Sequence, residues 1–330
     1  MRKFTMSCAL ALLLMSGLII ALKFYYLLYR PLPIHTNNRQ SFIIQLDKNT
    51  SAVSFVQLLK RNKLIQSPRL FLLYIRFHGL SKHLKAGIYE VKAGETARQF
   101  LQHVLKGDVL MLPFRILDGT TQRNIAPQLE HLPYVIQQSD DWAAIAEGHP
   151  SAEGLLLADT YYYEAGSRSG QLLQVAHAHL MQFLDKCWTT RNTNLPYKTP
   201  YEMLVAASII EKEASKSDEK RLISGIIMNR LLKRMPLQMD PTVIYALGAQ
   251  FQGKLTHQDL SIDSPYNTYK HYGLPPTPIA MVGRDAIDAA AHPTLTPYLY
   301  FVADGSGGHH FSETYVQQRK AITEYLSKVP

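Results

Sequence analysis

The spacing of apolar and polar positions divides this chain into a succession of helical and strand-like stretches. An uncharged run over residues 4–22, set between Arg2-Lys3 and Lys23, has the length a helix needs to cross a hydrocarbon layer of roughly 30 Å. Residues 41–46 alternate as a strand, and 51–61 place Val53, Phe55, Val56, Leu58 and Leu59 at helical spacing. A second apolar helix is predicted over 68–77, a strand over 84–92 and a helix over 97–105. Further on the pattern predicts a strand at 109–117 and helices at 122–132, 139–149 and 171–188, then a loop at 192–198. Pro200 sits where proline opens a helix, here one running through Ala214. Ser217-Asp218-Glu219 has the form of a helix start, with a cap and two acids at the positive end of the dipole. Leu222, Ile223, Ile226, Ile227 and Leu231 form the apolar face that follows. Asp240-Pro241 reads as N-cap and first residue of the next helix. A short helix at 285–291, a strand at 298–303, a glycine turn at 305–308 and a helix at 316–328 close the chain.

These elements define an α+β protein: a tip and single N-terminal transmembrane helix within 1–30, a Pro/Asn-bearing spacer at 31–40 and a small α+β module at 41–108. A connecting region at 109–150 leads to a larger mixed α/β domain at 151–330. Within the module, L-K-A-G-I-Y-E-V-K at 84–92, A-G-E-T at 93–96 and the helix after them resemble a LysM-like glycan-binding module. The first apolar run reads as an uncleaved anchor, since no small-x-small cleavage site precedes Lys23. Phe24-Tyr25-Tyr26 then lie at the far interface, and Arg2 and Lys3 stay inside, placing the bulk of the chain outside the cytoplasmic membrane.

Composition narrows the choice of partner. The 46% hydrophobic and 18% charged content suits a folded protein, and the formal charge of +9 asks for an anionic neighbour. The extracytoplasmic topology argues against nucleic acid and leaves a phospholipid surface or an acidic cell-wall polymer. Only two cysteines occur, Cys8 and Cys187, so neither a disulfide scaffold nor a cysteine zinc site is available, and Cys187 reads as a packed thiol. His309-His310 lacks an H-E-x-x-H context, and the turn after 303 lacks a phosphate-loop Lys-Ser/Thr.

Candidate chemistry concentrates between Ala206 and Tyr269. On a helical wheel Glu211 and Glu213 fall on opposite flanks, roughly 160° apart at about 100° per residue. Their carboxylates diverge, whereas a two-carboxyl glycosidase needs both groups facing one bond about 5–9.5 Å apart. Either both are solvent-facing acids around Lys212, or one glutamate borders apolar surface, where desolvation raises its pKa and suits it to general-acid work. Asn229-Arg230 offers an amide and a guanidinium, or simply a helix end. Tyr266, Asn267 and Tyr269 offer a stacking and amide-bonding strip, or ordinary turn chemistry.

Taken together the motifs resemble the endolytic murein transglycosylases of the MltG (YceG-like) family. The residues that carry the resemblance are E-G-L-L-L-A-D-T-Y at 153–161, A-S-I-I-E-K-E at 207–213, I-I-M-N-R-L at 226–231, L-Q-M-D-P-T-V-I-Y at 237–245 and S-P-Y-N-T-Y at 264–269. G-L-P-P-T-P-I-A at 273–280, A-A-A-H-P at 289–293 and Y-L-Y-F-V-A-D-G-S-G-G-H at 298–309 complete it. Ala158, Thr277, Met281-Val282 and Gln318-Arg319 depart from the family's usual residues.

The resemblance implies that 151–330 is a catalytic domain with Glu213 as its general acid and base and Glu211 as the supporting neighbour and second choice. Asn229, Arg230, Gln238, Asp240, Tyr266, Asn267 and Tyr269 are then expected to bind substrate. It implies cleavage of MurNAc-β-1,4-GlcNAc bonds in nascent peptidoglycan to 1,6-anhydroMurNAc ends, terminating strands beside peptidoglycan synthases (penicillin-binding proteins), with no metal or organic cofactor. Two other readings stay open. A hydrolytic muramidase would need a second carboxylate, for which Asp240 or Asp159 is available. A noncatalytic glycan-binding scaffold would be indifferent to Glu213.

Overall fold

The computed structural model describes residues 2–34, 41–138, 140–214 and 216–327, and the side chains of these apart from residues 2–10 and 326. Residues 35–40 of the expected spacer, Ser139 at the start of the helix expected over 139–149, and Lys328 of the last helix lie outside the described residues. The chain forms two compact units, residues 1–112 with 164–166, and residues 113–163 with 167–330.

The first unit opens with α1 (Arg2–Tyr29), whose stretch Ala11–Tyr29 is long and apolar enough to cross a membrane. Leu12, Leu13, Leu14 and Leu18 on it are exposed, while Leu28 near its end and Leu32 beyond it join the core of the unit. Then follow β1 (Ser41–Leu46), α2 (Ala52–Arg61), α3 (Pro68–Phe77), β2 (Gly87–Lys92) and α4 (Ala97–Lys106). β1 and β2 pair antiparallel, Ser41 opposite Lys92 and Leu46 opposite Gly87. The helices are started by local chemistry. Ser51 accepts the N–H of Ser54 ahead of α2, and Thr96 and Gln99 form a reciprocal capping box on α4. Phe55, Phe71, Tyr89 and Phe100, all fully buried, fill the space between helices and hairpin.

The second unit is mainly helical. β3 (Met111–Arg115) is followed by α5 (Gln122–Glu130), α6 (Asp141–Ile145) and β4 (Thr160–Glu164), which pairs with β3. Then come α7 (Ser169–Thr190), α8 (Pro200–Glu213), α9 (Lys220–Leu232), α10 (Asp240–Leu247) and α11 (Arg284–Ala291). The antiparallel hairpin β5 (Tyr300–Ala303) and β6 (His309–Ser312) and the final α12 (Tyr315–Leu326) complete it.

Within this unit residues 116–120 are hydrogen-bonded to later segments, Ile116 N–H to Asp159 O, Gly119 N–H to Met281 O, and Met281 N–H to Thr120 O. α8 is the central element: Met203 through Ile210 are all buried, and α7, α9, α10 and α11 pack around it. Thr199 caps its first turn through the N–H of Glu202, with Pro200 just inside. Ser208, fully buried, donates to Val205 O at 2.7 Å and accepts the N–H of Ile279 at 3.0 Å, tying the middle of the helix to the segment before α11. Cys187 is a buried free thiol on α7, where burial pushes its pKa up.

Two helix starts differ from expectation. Ser217 gives its hydroxyl proton to Asp285 at 2.8 Å rather than capping a helix, and α9 begins after a single 3-10 turn at Ser217–Glu219. Asp240 is the first helical residue of α10, with Met239 in the cap position, because Met239 is the residue locked to the neighbouring loop.

Candidate active site

The last turn of α8 separates its two acids. Glu211, its side chain 5% exposed, accepts Lys220 Nζ at 2.7 Å and the N–H of Gly283 at 3.0 Å, so its carboxylate clamps α9 and the start of α11. Glu213 leaves the other flank, half-buried, where it meets the charges of Asp240 and Arg230. Burial, and then the negative charge of Asp240, push its pKa up to about 8 against the opposing pull of Arg230. A carboxyl so placed is largely protonated at neutral pH.

Three elements bring groups to Glu213. Arg230 on α9 is 6% exposed; its Nε donates to Leu299 O at 2.7 Å and an Nη to Leu237 O, and the guanidinium lies 5.4 Å from the Tyr300 ring centroid. Asp240, exposed at the start of α10, accepts a short hydrogen bond from the Tyr269 hydroxyl. A buried threonine lock sets that meeting. Thr268 Oγ1 accepts the N–H of Met239 at 3.0 Å and lies 2.9 Å from Thr242 Oγ1, which donates to Met239 O. Burial, and then the bond to Asp240, hold Tyr269 well above the ordinary phenol range, so it remains a donor.

The remaining residues expected in the cleft have other polar partners. Asn229 donates its amide to Thr296 O at 2.8 Å and Tyr298 O at 3.0 Å, fastening the segment before β5 to α9. Asn267 is fully buried, its amide donating to Leu260 O and Ile262 O and its carbonyl accepting the N–H of Tyr269. Tyr266 meets Tyr245 with ring centroids 4.9 Å apart and planes tilted by 55°, and its hydroxyl lies 2.9 Å from Thr277 Oγ1. Gln238 has an exposed side chain on a residue of positive φ, 50°, and its N–H donates to Thr268 O. Glu213, Arg230, Asp240 and Tyr269 therefore form one charged group, with Asn229 on α9 and Asn267 and Tyr266 in the loop before Tyr269 among its supports.

Sequence reasoning missed the partners from outside the central stretch. Tyr300 lies on the C-terminal hairpin, and Glu153, 4% exposed, accepts the hydroxyl of Tyr245 at 3.2 Å and the N–H of Gln122 at 2.9 Å. The available signal was position: Glu153 opens one of the quoted motifs and Tyr245 closes another. The sites of departure are also occupied. Ala158 N–H donates to Val282 O at 2.9 Å, a bond proline could not make, so two of the departures meet in one contact. Gln318 donates to Phe301 O at 2.8 Å.

A carboxyl of raised pKa at the end of a buried helix, beside a second carboxyl and a fixed guanidinium, can deliver a proton to a leaving oxygen and take it back. A family model, the YceG-like family, matches residues 44–324, and the chain belongs to that family. It is 31% identical over 319 residues to the endolytic murein transglycosylase of Bacillus subtilis (strain 168), covering 89% of this chain and 88% of that one. It is 27% identical over 344 residues to the endolytic murein transglycosylase of Streptococcus pneumoniae serotype 2 (strain D39), covering 92% of this chain and 62% of that longer protein. A crystal structure of a putative YceG-like protein from Listeria monocytogenes matches with a TM-score of 0.52 at 27% identity, over 86% of this chain and 99% of the other.

Proposed function

We propose that this protein is a membrane-anchored endolytic lytic transglycosylase of peptidoglycan, with Glu213 as its single acid and base. The observation that carries the reading is the split of α8's two acids: Glu211 is spent on Lys220 and Gly283, while Glu213 stands beside Asp240 and Arg230 with a raised pKa. Glu213 gives its proton to the oxygen leaving C1 of MurNAc in a MurNAc-β-1,4-GlcNAc bond, and the C1–O bond breaks with oxocarbenium character. Asp240, fixed by Tyr269, opposes the charge developing at C1. The Glu213 carboxylate then takes the proton of the C6 hydroxyl as O6 bonds to C1, closing the 1,6-anhydro ring without water and restoring the acid.

In this reading α1 is a single-pass anchor with Arg2 and Lys3 on the cytoplasmic side, and the unit holding Glu213 works outside the membrane on nascent strands beside peptidoglycan synthases. The order β1-α2-α3-β2, two antiparallel strands flanking two helices, supports a LysM-like glycan-binding role for 41–108. A hydrolytic muramidase is the second reading, favoured by the same Asp240, which as a second carboxyl near Glu213 could activate a water or attack C1.

Mass spectrometry of glycan products from the full-length protein in detergent, beside Glu213→Gln, separates the readings. Internal cuts ending in 1,6-anhydroMurNAc and absent from the variant are the expected result. Reducing ends would give the muramidase, and products unaffected by the substitution would remove Glu213 from the chemistry.

A further inference from the structure

The second unit contains a cavity of about 770 Å³ whose wall on α8 is Lys212, the residue before Glu213. That volume lies in the range of about 300–1,000 Å³ that holds small ligands. Its walls include Arg123 from α5, Lys212 from α8 and Pro241 and Tyr245 from α10, with Glu153 beneath. The acid is turned inward: its two oxygens take the Gln122 N–H and the Tyr245 hydroxyl, and burial raises its pKa. The two cations are directed differently. Arg123 is exposed and, among the described residues, its guanidinium donates to no protein acceptor; it lies across Gly248, where a Cβ would come within 2.4 Å of Nη1. Gly248 has φ 55° and ψ −117°, a conformation suited to glycine, so the backbone leaves the guanidinium its place. Lys212 uses one donor on Gly119 O at 3.1 Å and has two left.

Lys212 and Pro241 in the cavity wall are the chain neighbours of Glu213 and Asp240, whose charges meet. The cavity and Glu213 are thus built on consecutive residues of α8 and of the start of α10. In a peptide-bearing strand the lactoyl carboxyl of MurNAc is tied up as an amide, so the carboxylates such a strand offers are those of its peptides. We propose that the cavity is a subsite for the carboxylate-bearing peptide of the strand, with Arg123 as its recognising side chain, forked to a carboxylate, and Lys212 as the second cation. The proposal rests on the glycan-cleaving reading of Glu213 and adds to it a demand on the substrate: strands with peptides are held better than bare ones.

The test is calorimetric titration of the full-length protein with two probes, the GlcNAc-MurNAc-peptide fragment and the same disaccharide with its lactoyl carboxyl capped as the methylamide, which carries no carboxylate. Neither contains a MurNAc-GlcNAc bond, so binding is read whether or not Glu213 chemistry is as described, and product analysis judges that chemistry separately. Wild type is expected to bind the peptide-bearing probe about tenfold more tightly, the size of one charge-assisted contact pair. Arg123→Ala should bring the two affinities together, and so should Ala126→Phe, which fills the cavity without touching its charge. Unfolding midpoints equal to wild type certify both variants. Equal binding of the probes by wild type, no binding of either, or a preference that survives both substitutions in folded protein overturns the proposal.

Discussion

Replacing Glu213 by Gln should make the protein more stable, and by an amount that depends on pH. An acid whose folded pKa is raised from the ordinary 4.5 to about 8 binds its proton more tightly folded than unfolded. Between those values the folded state carries the extra proton, so stability falls as pH rises through the window and levels off above it. At pH 7 the interval above 4.5 is 2.5 units, which at about 1.4 kcal/mol per unit sets an upper bound of about 3.5 kcal/mol. Glu213 is half-buried, not sealed, so solvent screening brings the expected figure to about 2–3 kcal/mol. The amide of Gln has nearly the shape of the protonated acid and no such dependence. The variant should therefore unfold about 4–10 °C higher than wild type at pH 7, with a gap under about 1 kcal/mol at pH 5 and a constant, larger one above pH 8. Calorimetry or urea unfolding of the two full-length proteins in the same detergent across pH 5–9 measures it. A variant no more stable than wild type, or a gap that does not widen with pH, would show that Glu213 is an ordinary solvated acid and remove the basis for its catalytic reading.

Other expectations follow from the same contacts. Glu211→Gln should cost about 3–5 kcal/mol in unfolding experiments, because it leaves Lys220, 11% exposed, without its counter-charge. Asp240→Asn removes a charge that raises the Glu213 pKa, so the alkaline limb of kcat/KM should move down by about 0.5–1 pH unit; an unmoved limb would separate the two acids. Asn267→Ala deletes a buried amide that satisfies two part-buried carbonyls and should lower stability by about 1–3 kcal/mol. Gly225→Ala would bring a Cβ to 2.2 Å from Thr294 O, and should destabilise by about 1–3 kcal/mol, read as a lowered unfolding midpoint.

What could be read in the sequence was what local geometry decides. Ser41–Leu46 and Pro68–Phe77 fall where periodicity put them, and the divergence of Glu211 from Glu213 follows from the helical angle alone. What could not be read was decided at a distance. Asp240 has every mark of an N-cap, yet Thr268 pins Met239 in that position and Tyr269 takes the carboxylate. Asn229 and Asn267 look like free amides in a cleft because their carbonyl partners are supplied by the fold, for Asn229 67 and 69 residues along the chain. The cavity below Tyr245 is assembled from α5, α8, α10 and Glu153, and no single stretch of sequence contains enough of it to be noticed.

The two glutamates of α8 also bear on how this protein would look to a geneticist. On the proposed reading, loss of either would abolish activity, Glu213 by removing the proton donor and Glu211 by releasing the clamp on Lys220 and Gly283. A selection scored on cell-wall defects would rank them as equals and credit both with chemistry. A selection scored on the amount of folded protein would set them at opposite ends, Glu213 variants accumulating and Glu211 variants being cleared.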